Sequence, residues 1–301
     1  MIERFNFYDV YGYFVPGCSL LALLWLPYGI AARSWPSTEL GSALAAIIFA
    51  YIVGHFLQIL STNALPSKIE DKSGNLRYPS EVFLDSNNTV FSAEFKERLA
   101  QFVLSDFGLD LAVDKSPKGA NDEEFGPIDR RRQNGFFLCR GTLIREKIAA
   151  YPEQFEGMYT LLRGLATACL IAVAYSFGWS SAICQARWAW WIAVGVVILG
   201  LCYCVICALI IVLWRVGKRF FWVDPAFLAA FSLAFVGAGH LLGLAYMHSR
   251  HLAPLFAGIA VLLLILALKF FTAYKMFAES FAKGVWQDFV GRGRPLASTA
   301  K

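Results

Sequence analysis

Charged side chains are scarce in this sequence. Of 301 residues only 16% are Asp, Glu, Lys or Arg, while 57% are hydrophobic; a soluble domain carries about a quarter charged residues. Catalytic signatures are missing as well. There are four histidines, His55, His240, His248 and His251, and no H-E-x-x-H, G-x-S-x-G or G-x-x-x-x-G-K-[ST] motif. Neither a catalytic residue nor a metal site nor a cofactor is expected, and the chain does not read as an enzyme. The apolar runs carry no Asp or Glu pair, which argues against a proton-coupled transporter and an intramembrane aspartyl protease. Seven cysteines give no disulfide framework. The run "CYCVIC" at 202–207 lies in one apolar segment without a nearby His or acid, which favours small apolar side chains over a metal site.

What the sequence does have is long uncharged runs. Segments 10–32, 40–60, 164–186, 188–214, 225–247 and 252–268 are each apolar, near or above the ~18 residues that mark a candidate membrane helix. The expected fold is all-α: a polytopic membrane protein with about six transmembrane helices and a helical insertion between the second and third. The division is 1–60 for spans one and two, 61–156 for the insertion, 157–272 for spans three to six, and 273–301 for an amphipathic helix and tail. Arg33, Arg187 and Arg250 are the only cations in the outer loops of this scheme. Lys/Arg placement therefore puts both termini and the insertion in the cytoplasm. Trp25, Trp35, Trp179, Trp188, Trp190 and Trp191 fall near the outer interface, Trp214 and Trp222 near the inner one, as an aromatic belt requires.

The stretch "FNFYDVYGYFVPG" at 5–17 opens the first span. A helix starting only after Gly17 would rise about 22 Å, too short for a ~30 Å hydrocarbon core. The helix must begin near Val10 and run through Pro16 and Gly17, with Asp9 as its N-cap. Pro16 cannot donate to the carbonyl of Gly12, so a kink is expected there. Pro16-Gly17 reads either as part of an anchored helix or as a gating hinge. His55 and Gln58 lie beside the small-residue line Ala46, Ala50, Gly54, and His240 between Gly239 and Gly243. These polar residues read as packing groups or as pore and gating groups.

In the insertion, Ser92 is placed to cap a helix burying Phe95, Leu99, Phe102 and Val103, with Gly108 ending it. The segment 115–127 reads as a loop. A second helix, from about 129 to 150, opens with "DRRR". Arg132, Arg140 and Lys147 share one stripe at 100° per residue, with Phe137, Ile144 and Ile148 expected inward. Arg130, Arg131, Arg132, Arg140, Arg145 and Lys147 form the candidate ligand set: for anionic membrane lipid, as a solvated face, or for a polyanion such as an oligonucleotide. Pro152 suits the first turn of a third helix leading into span three. At the C-terminal end, Phe277, Phe281, Val285 and Phe289 form a stripe that should pack on the insertion or on a second subunit.

The runs "YDVYGYFVPG" (8–17), "YIVGHFLQILS" (51–61), "FFLCR" (136–140) and "FEGMYTLLRGLA" (155–166) resemble the multi-pass inner-membrane effectors of bacterial anti-phage defence, in particular the channel-like effectors of the Hailong system. The resemblance implies a homo-oligomeric channel held closed by single-stranded DNA oligomers that a partner nucleotidyltransferase makes. The expected function is thus a channel-like effector gated from the cytoplasm. A scaffold protein docking a soluble partner is the alternative, and a transporter comes third.

Overall fold

A computed structural model of the chain describes residues 9–36, 39–65, 67–72, 74–112, 125–148, 150–184, 223–246 and 249–292. The expected fourth span at 188–214, the "CYCVIC" cysteines, most of the 115–127 loop and the tail from 293 onward lie outside these residues. The described architecture is all-α with one two-stranded hairpin. It divides into two units: Met1–Pro66 with Thr160–Tyr274, and Ser67–Tyr159 with Lys275–Lys301.

The first unit contains α1 (Val15–Ala32) and α2 (Leu40–Ala64). It also takes α6 (Ala150–Ile183) from Thr160 onward, α7 (Val223–Leu244), and α8 (Ala253–Arg292) up to Tyr274. Among the described residues four helical segments are long and apolar enough to cross a membrane: Val10–Ala32, Leu40–Thr62, Pro152–Ile183 and Arg250–Arg292. α7 occupies most of the expected fifth span, and its portion Leu233–Leu244 is apolar. α6 is the central helix, with 67% of its apolar window buried, against 22–28% for the other three. The outer faces are apolar too: Leu44, Ile48, Ile52 and Ile59 of α2 and Leu255, Leu262, Ile265 and Leu268 of α8 are exposed. A bundle with aliphatic side chains both inside and outside matches a hydrocarbon surround and not water.

Two expectations about the spans change. Asp9 is already helical, at φ −66° and ψ −39°, and its side chain makes no cap hydrogen bond; an N-cap needs an extended backbone to turn its carboxylate onto the following N–H groups. Trp179 is a core side chain and does not face outward. It is fully buried among Tyr175, Ile183 and Phe256, whereas Trp25 and Trp35 are exposed. Ahead of Pro16 the chain forms a π-helical turn, Val10–Phe14, in which the Val15 N–H reaches back to Val10 O. Widening the turn lets the chain continue although proline supplies no donor.

The second unit opens with the hairpin β1 (Ile69–Glu70) and β2 (Leu76–Arg77), turned at Gly74 with φ +81°. It continues through the short α3 (Pro79–Val82), α4 (Ala93–Phe107) and α5 (Phe125–Arg145). Ser92 Oγ accepts from Phe95 N at 3.2 Å, and Gly108, at φ +64°, ends α4. Leu99 and Val103 are fully buried, with Phe95 and Phe102 packed partly against them. The stripe on α8 completes this core: Phe281, Val285, Trp286 and Phe289 are buried with Leu99, Val103, Cys139 and Leu143. Trp286 Nε1 donates to Ser80 O at 3.2 Å.

The face of α5 is the reverse of the expected one. Ile128, Arg132, Phe136, Cys139 and Leu143 point inward, while Phe137, Ile144 and Ile148 are 56%, 41% and 45% exposed. Arg132, expected on one stripe with Arg140 and Lys147, belongs to the core.

Candidate functional site

The small residues of α1, α2 and α6 decide what can approach Pro16. A Cβ on Gly17 would lie 1.9 Å from Ala50 O, and one on Gly54 would lie 1.9 Å from Tyr13 O. A Cβ on Gly164 would stand 2.9 Å from Pro16 Cγ. The proline ring therefore sits on a glycine of α6 while the next residue sits on the backbone of α2. His55 closes the crossing: its ring stacks on Tyr13 at 3.9 Å and 22°, with Tyr51 edge-on at 4.6 Å. Pro16, Gly17 and His55 thus come together at one junction.

Further along α2, Gln58 is buried and its carbonyl accepts from Ser61 Oγ at 3.0 Å and Thr62 Oγ1 at 2.7 Å. Thr62 Oγ1 in turn accepts from Arg163 Nη2 at 2.9 Å. Arg163 is only 6% exposed, and it is absent from the candidate residues above. Its signal was an arginine directly ahead of the apolar run that starts at Gly164.

His240 belongs to a different contact, between α6 and α7. A Cβ on Gly178 would lie 2.2 Å from Val236 O, and one on Gly239 would lie 2.3 Å from Tyr175 O. His240 Nδ1 lies 2.9 Å from Ser181 Oγ, which also lies 2.8 Å from Gly178 O. The hydroxyl has one hydrogen, so which of the pair donates is set by the His240 tautomer. The five residues expected to gate the chain are therefore distributed over two helix contacts and one polar turn.

The six cations expected to bind a ligand are not one patch either. Arg130, Arg131, Arg145 and Lys147 are exposed. Arg140 pairs with Glu156 and lies over the Phe281 ring at 5.8 Å. Arg132 is fully buried, bonded to Asp85 and to the carbonyls of Glu81 (3.2 Å), Leu111 (3.3 Å) and Ala112 (3.0 Å). Its donors face inward, so it is a structural cation and not a ligand group. Asp85 also accepts from Arg77 at 2.7 Å, and Arg77 pairs with Asp129 and lies 3.5 Å from Asp71. Lys96 Nζ donates to Asp85 O and Asn88 O, each at 2.6 Å.

Cys139 is a core residue whose thiol burial holds well above the ordinary range, so it is inert as a nucleophile. Among the described residues no group of His, Cys, Asp and Glu could hold a metal ion.

Glu81 gives this charge cluster a pH dependence. Burial, and then the carboxylate of Asp129, push its pKa up to about 7, against the Tyr78 N–H and the charges of Arg77 and Lys68. Its unfolded value is near 4.5. The folded unit therefore holds the proton more tightly, and the stability this provides is full below the unfolded value and lost as pH rises through about 7. The loss reaches about 3 kcal/mol. Glu81→Gln, whose amide oxygen can still accept from Tyr78 N, should flatten this dependence. Thermal unfolding in mild detergent at pH 5.5 and pH 8 checks it; equal sensitivity to pH in the variant would exclude Glu81 as the cause.

No protein-family model, curated protein or solved structure matches the chain.

Proposed function

We propose that this chain is a multi-pass protein of the bacterial inner membrane that assembles as a channel-like oligomer and is gated from the cytoplasm. The observation that carries the membrane reading is the broad aliphatic exterior of α2 and α8 around a buried α6. Segment 188–214 and α7 would complete a six-span set. The scarcity of Lys and Arg in the presumed outer loops supports cytoplasmic termini.

For gating, support comes from the junction at Pro16. A π turn, a proline and two glycine contacts on different helices give α1 a local irregularity that a regular helix lacks. The defence role, the single-stranded DNA inhibitor and the nucleotidyltransferase partner rest on the resemblance of the four runs quoted above. With Arg132 and Arg140 engaged by carboxylates, a phosphate chain would rely on Arg130, Arg131, Arg145 and Lys147.

The test is conductance of the purified full chain in planar bilayers. Discrete current steps are expected, with altered opening in Pro16→Ala; alanine restores an N–H and favours the regular α-helix by up to about 3 kcal/mol. Folded, bilayer-inserted protein that passes no current, with and without single-stranded oligonucleotide, would replace the channel with the scaffold reading.

A further inference from the structure

The exposed side of α5 combines two properties. At 100° per residue, Phe137, Ile144, Arg130, Arg145, Leu138 and Arg131 fall within an arc of about 140°. All six are exposed, Phe137 by 56% and Leu138 and Ile144 by about 40% each. Negative charge is missing from the arc. Asp129, the one acid of the helix, is bonded to Arg77, and Glu146 just beyond its end accepts from Arg292 Nη1 at 2.8 Å. The opposite side is fully engaged in the core of the second unit.

A solvated helix face has no use for three large apolar side chains between its arginines. A phosphate chain would pair the arginines but leave Leu138 and Ile144 in water, because aliphatic side chains offer no ring for a base to stack on. A bilayer interface satisfies both: headgroup phosphates meet the guanidinium groups while the apolar side chains enter the acyl boundary. In sequence, α5 ends at Arg145 and the helix that carries the candidate span Pro152–Ile183 begins at Ala150.

We infer that the exposed face of α5 docks on anionic lipid at the membrane interface. The inference rests on the membrane reading of the chain but not on conduction. Charge complementarity sets the preference: each arginine contributes about fivefold for anionic over zwitterionic lipid.

The test uses the full chain in nanodiscs that contain a photoactivatable phosphatidylglycerol or the matching phosphatidylcholine, with the crosslink near the headgroup. Peptic peptides covering 133–145 should carry several-fold more adduct from the anionic lipid, and the excess should collapse in high salt and in the Arg130→Gln/Arg131→Gln/Arg145→Gln variant. Peptides from the outer face of α2 should label with both lipids in every sample, which reports membrane insertion separately. Labelled α2 without adduct at 133–145 overturns the docking. So does protection of these peptides by an added single-stranded oligonucleotide in place of lipid, or a crosslink between two copies of the chain at α5. Absence of label on α2 as well would remove the membrane reading itself.

Discussion

Gly54→Val should leave the first unit unable to assemble, and even Gly54→Ala should destabilise it strongly. A Cβ at this position would lie 1.9 Å from Tyr13 O, 2.5 Å from its carbonyl carbon and 3.0 Å from its Cα. None of these atoms belongs to a flexible side chain, so α1 and α2 must separate. Gly17 imposes the same limit one turn away, against Ala50 O at 1.9 Å and Gly54 N at 2.8 Å. Separation also removes the ring stack of Tyr13 on His55. Overpacking alone costs about 1–3 kcal/mol where side chains can yield; a backbone clash with no such relief should exceed that range. Gly41 and Gly258 supply the controls, because a Cβ there meets nothing within 4 Å. Their alanine variants should melt at or slightly above the parent temperature, since alanine favours the helix by about 1 kcal/mol over glycine. Thermal unfolding with size-exclusion chromatography in detergent reads all four. A Gly54→Ala protein that melts with the Gly41→Ala control would mean the crossing is looser than these distances.

Much of the helical architecture was legible because its causes are local. Ser92, Gly108 and the spacing of Leu99 and Val103 lie within one helix, and the capping and burial follow from neighbours a few residues apart. The stripe Phe281, Val285 and Phe289 is equally local, and it buries as a stripe should. The orientation of α5 was not legible, because its cause is distant in sequence. Arg132 turns inward for Asp85, 47 residues earlier, and for the carbonyls of Leu111 and Ala112. No periodicity in α5 distinguishes that arginine from its neighbours Arg130 and Arg131. The polar junctions were legible only in part. Gly54 announced close packing as part of the small-residue line Ala46, Ala50, Gly54, whereas Gly17 read only as a helix breaker beside Pro16; which backbone each meets depends on the pairing of α1 with α2. The hydrogen bond of Arg163 to Thr62 joins residues about a hundred positions apart, and Trp179 shows that a tryptophan near a span end can be core instead of belt.

The burial of Arg132 has a direct consequence for any attempt to test ligand binding on α5. Arg132→Ala should behave as a folding variant: it leaves Asp85 with less positive charge and strips hydrogen bonds from the carbonyls of Leu111 and Ala112, while Glu81 O keeps the Leu84 N–H. Each buried acceptor left without a donor costs about 1–3 kcal/mol. Asp85→Ala should be worse. It removes the carboxylate that Arg77 and Arg132 share, leaving two buried guanidinium groups around one vacated position; Arg77 keeps the carboxylates of Asp71 and Asp129, and Arg132 keeps its backbone carbonyls. Removing one partner of a buried pair costs about 3–5 kcal/mol, much of it the burden of the remaining charge. The double variant Asp85→Leu/Arg132→Met should therefore recover part of the loss, with a non-additivity of about 1–3 kcal/mol. Arg130→Gln, Arg131→Gln and Arg145→Gln, all on the exposed side, should leave the melting temperature of the second unit unchanged. Hydrogen exchange of the peptides covering α4 and α5, measured in detergent, separates the two groups: faster exchange throughout in Asp85→Ala and Arg132→Ala, parent rates in the surface variants. If Arg132→Ala kept parent exchange rates while altering a surface interaction, the arginine would have to reach solvent, and the inward face of α5 would need to be redrawn.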